Sequence, residues 1–556
     1  MKPTTPLWCA AVLVAACASI TPPTSAESQQ LESIRKLMAS DLDAAANAAE
    51  DLLQEKPTLR EARLLLAECS LQMANEPGRS GKQFLLMDAA RNFDEALDSA
   101  EDEPFAREWR LCAEAHYALG EFDKGSVAAN RSANGFAKKP GLDNKKEYAT
   151  SRLVGARCNY RIFVEERQAE IESGDKDQNG LVKPSKRIMT LAQVVAAGFQ
   201  NAQHDYPAEA ATTVADVHKW LGQTSEVQRT YEAAVSNWPA ETGIHDAYID
   251  WMTQNGQHDA LVGAYRRFVR EQPDAPVLRW FEGRAIYRRA DQLRTQGNFQ
   301  GAIAIYQKSR DVFGEYIAVM PNHRTSSAQW QALCDLSIAR CAADSGDLEK
   351  ATEVMFRAAE TAPATTTYVD GNPQLVDAFG NHFTGVAFAI HVALTQAPEN
   401  ALQRTLAFNE QVVQKYPDRW GFLYNNAALA ARDLGVQVQN DGDDKAAMEL
   451  WERSYRYYEK AVALSPTDAR IVNDCGLMLI YHLDRDFDRA RECFDKAIEI
   501  GTAQLAELSD DTPARERELL EEAVGDAWQN IAVLMREHEK KPFADYKQFC
   551  EQAVKY

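Results

Sequence analysis

The sequence carries almost no strand signal. No stretch sustains an alternation of branched or aromatic residues with polar ones, and no Asn-Gly turn sits between two such runs. That excludes sandwiches, barrels and sheet-based enzyme folds. Positive charge is in deficit: 61 Lys and Arg stand against 82 Asp and Glu, a formal net charge of −21. A chain of that balance repels phosphate backbones, which argues against nucleic acid as a partner. The same charge keeps an extended chain soluble. Catalytic signatures are missing as well. There is no HExxH, GxSxG or strand-linked GxGxxG, and no pair of acids stands apart from the rest. Gly81-Lys82 lacks the earlier glycine, the following Ser/Thr and the preceding strand of a phosphate-binding loop. No Cys-x-x-Cys pair or Cys/His cluster has zinc spacing. His116 and His258 fall at packing positions of helices or turns. No cofactor, no metal and no enzymatic activity are therefore expected.

What the chain does have is alanine-rich helical periodicity from end to end, and 45% hydrophobic residues to bury. The fold is expected to be all-α. Leu333 to Pro363 sets the pattern. Ile338, Ala339 and Ala342 share one face of a first helix, at three-and-four spacing. Gly346-Asp347 ends it, because glycine tolerates the left-handed backbone of a helix C-terminus. Leu348 follows the turn, Ala351, Met355 and Ala358 line a second helix, and Pro363 closes it. The alanines matter most, since two helices cross closely only where the side chains between them are short.

Small residues in both helices, glycine at the turn, an apolar or aromatic residue after it and a closing proline together resemble the tetratricopeptide repeat. The test is recurrence near 34 residues. Pro239 and Pro273 are spaced so, with Tyr248, Ile249, Met252, Gly256, Leu261, Tyr265 and Phe268 in the slots between them. Trp109, Cys112, Ala113, Gly120, Phe122 and Gly125 form another unit, and Gly297, Phe299, Ala302 and Tyr306 mark a third. Residues 469–501 repeat the pattern with two extra residues in the turn. The resemblance covers most of residues 40–556 and implies a right-handed α-α superhelix, a solenoid of helical hairpins.

The expected organisation has N-terminal units over 40–137, an irregular helical segment over 138–205, central units over 206–366 and C-terminal units over 367–556. An apolar helix is expected over Val376–Leu394, a polar one over Thr502–Glu522, and a solvated acidic loop over Val436–Lys445. Asp175–Gly180 has the opening of a calcium loop, but Lys186 stands where a bidentate glutamate is needed, so an inter-helix loop is expected.

Residues 1–26 have the layout of a secretory signal: Lys2, the apolar run Leu7–Ile20, then small residues to a cleavage point after Ala26. That run is too short to span a membrane comfortably. Val14-Ala15-Ala16-Cys17 also resembles a bacterial lipobox, in which Cys17 would be lipidated. Soluble export to the periplasm and a lipid anchor in the cell envelope both stay open, and the membrane enters only through that anchor. Eight cysteines lie beyond the signal, with Cys69, Cys112 and Cys475 at packing slots. Cys475 and Cys493 share one hairpin, where oxidation is permitted by the compartment.

The resemblance implies a concave groove lined by first-helix side chains that binds peptides or protein segments. Aligning the last three units on Ala427, Gly476 and Ala532 puts Asn425, Asp474 and Asn530 at one place on successive first helices. An amide there serves any peptide unit, because it both donates and accepts. Asp474 only accepts and favours a basic segment. The function expected is an exported scaffold or adaptor for protein complexes. The alternative is a glycan-binding surface lipoprotein; most Trp, Tyr and Phe fall on packing slots, which tells against it.

Overall fold

The computed structural model describes residues 23–138, 141–177, 180–397, 399–509 and 511–556. Cys17 and the apolar run of the expected signal lie outside the described residues, as do Gln178 and Asn179 of the polar loop. The described residues form 24 α-helices and one two-stranded hairpin, Tyr368–Val369 with Asn372–Pro373. The chain divides into two compact units, residues up to Gln257 with Arg270–Val277, and His258–Val269 with Leu278–Tyr556. Within each unit a helix packs chiefly on the helices before and after it in sequence, the arrangement of an all-α solenoid.

The turn between paired helices is one motif used repeatedly. After Arg324–Asp344, Gly346 adopts φ +83°, its N–H bonds to Ala343 O, and Asp347 N–H reaches back to Ala342 O. This pair of bonds satisfies carbonyls that the helix end would leave bare. Asp347 then turns round and caps the next helix, Leu348–Thr361, by accepting from Lys350 N–H at 3.3 Å. The same two backbone bonds recur at Gly120, Gly222, Gly256, Gly297 and Gly442. At Gly297-Asn298 and Gly442-Asp443 the second residue also caps the following helix. A two-residue sequence thus stops one helix and starts its antiparallel partner.

Packing follows the short side chains. Ala339, Ala351 and Ala358 are fully buried, with Met355 beside them. Asp335, also fully buried, pins three successive helices. Its carboxylate accepts from Arg310 Nε at 3.0 Å, on Phe299–Val319, and from Arg357 Nη2 at 2.7 Å, on Leu348–Thr361. Two guanidinium partners offset the cost of taking the carboxylate out of water.

Four expectations need correction. The segment 138–205 is a regular hairpin of two long helices, Leu142–Ser173 and Lys186–Ala202. Its connecting loop is held by Arg167, which donates to Val182 O at 2.6 Å and Trp220 O at 3.1 Å. Val436–Lys445 is not a ten-residue loop: Gly421–Asn440 runs through it because Val438 continues the apolar stripe, and Asp444–Leu464 begins after a short turn. The helix expected from Val376 starts at Phe383. Asp377 prevents an earlier start by accepting from Phe379 and Asn381 N–H, both at 2.8 Å, while it pairs with Arg294 at 3.1 Å. The polar helix Thr502–Glu522 is broken: Phe487–Glu507 ends, and Pro513 precedes Ala514–Val533.

Replacing Ala351 by arginine puts a charged side chain where the helices touch. The expected loss is at least about 3 kcal/mol, from overpacking and an unpaired buried charge. Thermal denaturation reads it directly, and an unchanged midpoint would mean the crossing is not where it is described.

Candidate functional site

The second unit ends in three first helices: Gly421–Asn440, Ala469–Met478 and Ala514–Val533. Asn425, Asp474 and Asn530 lie one on each. The structure joins these helices by polar contacts. Asn530 donates through Nδ2 to Asn473 Oδ1 at 3.0 Å and accepts from the Tyr481 hydroxyl at 3.2 Å. Asp474 lies between Arg432 of the preceding first helix and Asp526 of the following one.

Two helices reach this face through an unusual ending. Leu479–Leu483 and Leu534–His538 widen into π turns, the first of them in the unit whose turn carries two extra residues in the sequence. In the first, Arg485 N–H returns to Leu479 O, and Asp484 and Asp486 take positive φ. A π turn shifts side chains round the helix axis, and such turns gather at functional sites. Here the shift presents Tyr481, about half exposed, to Asn530 on the next helix.

Burial pushes the Asp474 carboxyl up to about 6, with Arg432 opposing the rise and Asp526 adding to it. His482 stacks near Trp451, 4.9 Å between ring centres, and is driven down to about 4 by burial and by Arg432. The Tyr458 hydroxyl is raised by burial and then by the Asp474 charge. Asn425 Oδ1 and Asn426 Nδ2 are covered atoms with no hydrogen-bond partner, an acceptor and a donor on half-buried side chains.

The three expected residues therefore differ in what they offer. Asn530 is buried and both ends of its amide are engaged within the protein. Asp474 is half-buried beside a cation. Asn425 holds an acceptor in reserve. The residue that meets Asn530 is Asn473, one position before the aligned Asp474. The sequence also gave no weight to Arg432 or Tyr481. The Asn473-Asp474 pair was a legible signal, since it offers two adjacent polar candidates on the helix. Cys475 and Cys493 lie beside each other as buried free thiols.

No family model matches the chain, and no curated protein does. Solved structures similar to it include the P58(IPK) TPR domain, at 12% identity and TM-score 0.21 over 86% of this chain and 98% of that one. Another is Naa15/Naa10 bound to HypK-THB, at 10% identity and TM-score 0.22 over 96% and 89%. A third is the human IFIT1 dimer with PPP-AAAA, at 13% identity and TM-score 0.22 over 84% and 89%. The class of the chain rests instead on its own hairpins: small crossing residues, the glycine turn and in-order packing define an all-α solenoid of repeated helical hairpins.

Asp474 gives a pH test. Its folded carboxyl titrates near 6 against an ordinary value near 4, so ionisation costs the folded state stability as pH rises through that window. Asp474→Asn, neutral throughout, should raise the melting temperature at pH 8 and lose that advantage by about pH 4. An equal gain at both pH values would mean the carboxylate is not desolvated.

Proposed function

We propose that the chain is an exported scaffold of the cell envelope that holds an extended, basic protein segment against the first-helix face of its second unit. The observation that carries this reading is Asn425. Its amide oxygen finds no partner in the protein, yet the side chain is only half-buried, so rotation about its side-chain bonds brings an acceptor to the surface. An unpaired buried acceptor costs free energy that a peptide N–H would recover. Asp474 and Asp526 on the neighbouring helices supply negative charge, in keeping with the overall −21, and favour lysine or arginine in the segment. Export rests on the apolar run Leu7–Ile20 and the small residues after it. The first helix, Ser25–Met38, is capped by Thr24, so cleavage after Ala26 would remove that cap. The exposed aromatic side chains among the described residues are phenylalanines and tyrosines, such as Phe84 and Tyr481, with no tryptophan among them, which gives the glycan-binding alternative little support.

The test is titration of fluorescent extended peptides, basic and acidic, into the purified chain. Asn425→Ala should weaken the basic peptide about fivefold, one hydrogen bond's worth, without lowering the melting temperature of the free chain. Asn530→Ala is the contrasting variant. It strands Asn473 and Tyr481 and should lower the melting temperature whatever it does to binding. Equal capture of acidic and basic peptides, or undiminished capture by Asn425→Ala, would remove this face as the groove.

A further inference from the structure

In the first unit, well before the groove in sequence, three different ligand atoms converge. Cys112 and His116 lie one turn apart on the helix Ala106–Leu119, both with 1% of their surface exposed. Asp94 reaches them from Lys82–Leu97. Its Oδ1 is 2.9 Å from His116 Nε2 and 3.8 Å from Cys112 Sγ, and all three ligand atoms lie within 4.8 Å of one another. Zinc bonds thiolate sulfur at about 2.3 Å and nitrogen or oxygen at about 2.0–2.2 Å, so tetrahedral geometry spaces such ligands roughly 3.3–3.8 Å apart. Side-chain shifts of about 1 Å would admit the ion.

A fourth residue completes the chemistry. His116 Nδ1 is 2.7 Å from Glu121 Oε2, just past the Gly120 turn, and Glu121 is itself paired with Lys124 at 3.0 Å. Metal-ligating histidines habitually donate their other ring N–H to a carboxylate, which fixes the tautomer and the ring's orientation. With Nδ1–H given to Glu121, the Nε2 lone pair faces Asp94 and Cys112. We infer that Asp94 Oδ1, Cys112 Sγ and His116 Nε2 form a zinc-type site, with Glu121 as the positioning residue and water in the fourth place. The donor set of one thiolate, one imidazole and one carboxylate suits zinc and disfavours calcium or magnesium, which want oxygen. Asp94 is about half exposed, so an ion can enter from solvent by that side. Binding releases the Cys112 thiol proton and any proton shared between His116 Nε2 and Asp94, and all three bonds are ordinary coordination. The ion would staple Lys82–Leu97 to Ala106–Leu119 and, through Glu121, to the start of Phe122–Ala137.

The experiment takes the chelator-treated full chain and titrates it with zinc by calorimetry and with cobalt by absorption. One equivalent of zinc should bind saturably and raise the melting temperature, and bound cobalt should show a thiolate charge-transfer band. Cys112→Ser should abolish that band, which separates this site from the partly exposed Cys550. Glu121→Gln should weaken zinc about 10–100-fold while leaving the stoichiometry at one. Should the serine variant fail to fold, Asp94→Asn, altered at an exposed side chain, should still lose the zinc-induced rise in melting temperature. Absence of saturable zinc binding in the unaltered chain would overturn the site, leaving His116 as a histidine held between two carboxylates. So would a cobalt band that survives in Cys112→Ser.

Discussion

Everything in this protein depends on how closely paired helices cross. At Gly135 an added methyl would fall 2.4 Å from Asp102 O and 2.7 Å from Ala106 Cβ; at Gly198 it would fall 2.7 Å from Ala156 Cβ. Such distances leave no space for a side chain, so the small residues are the contact itself. Once that approach is fixed, the rest follows. Aromatic residues such as Tyr306, Phe313 and Tyr458 fill the space on either side of the crossing. The two-residue turn brings the second helix straight back. First-helix faces not used in crossing are left for polar contacts, such as that between Asn530 and Asn473.

Close crossing sets distance but leaves register loosely defined, because alanine slides past alanine at little cost. Buried charges supply the missing specification. Asp335 ties three helices through Arg310 and Arg357. Asp377 holds the irregular stretch before Phe383 to Arg294, and Arg167 ties its helix to the backbone carbonyls of Val182 and Trp220. Each is costly to desolvate and costlier to leave unpaired, so each admits one alignment of its helices. Apolar contacts thus dominate the crossings, and these few buried polar contacts penalise a slipped register, which would leave a charge unpaired.

The hairpins were legible in the sequence because their determinants are local. Gly346-Asp347 carries both the stop and the cap, and Ala351, Met355 and Ala358 carry the buried stripe. The failures were non-local or hidden by composition. Polar residues on the far face masked the helix through Val436–Asn440, whose apolar stripe is continued by Val438 alone. Asp377 breaks a helix by bonds to residues that look helical. Alignment on the small residues points to Asp474, but it is Asn473, one position earlier on the same helix, that meets Asn530. The Asp94, Cys112 and His116 cluster escaped because one of its members comes from another helix, and no spacing rule spans a helix crossing.

If neighbouring contacts alone hold each hairpin, damage at one crossing should stay local. The direct measurement is amide hydrogen exchange on Gly198→Val, which forces the Leu142–Ser173 and Lys186–Ala202 helices apart. Protection should fall in those two helices and in the adjoining Phe122–Ala137 and Pro207–Trp220, while Arg324–Asp344 and Leu348–Thr361 exchange as before. A uniform loss of protection across both units, or none in the altered hairpin, would contradict the account.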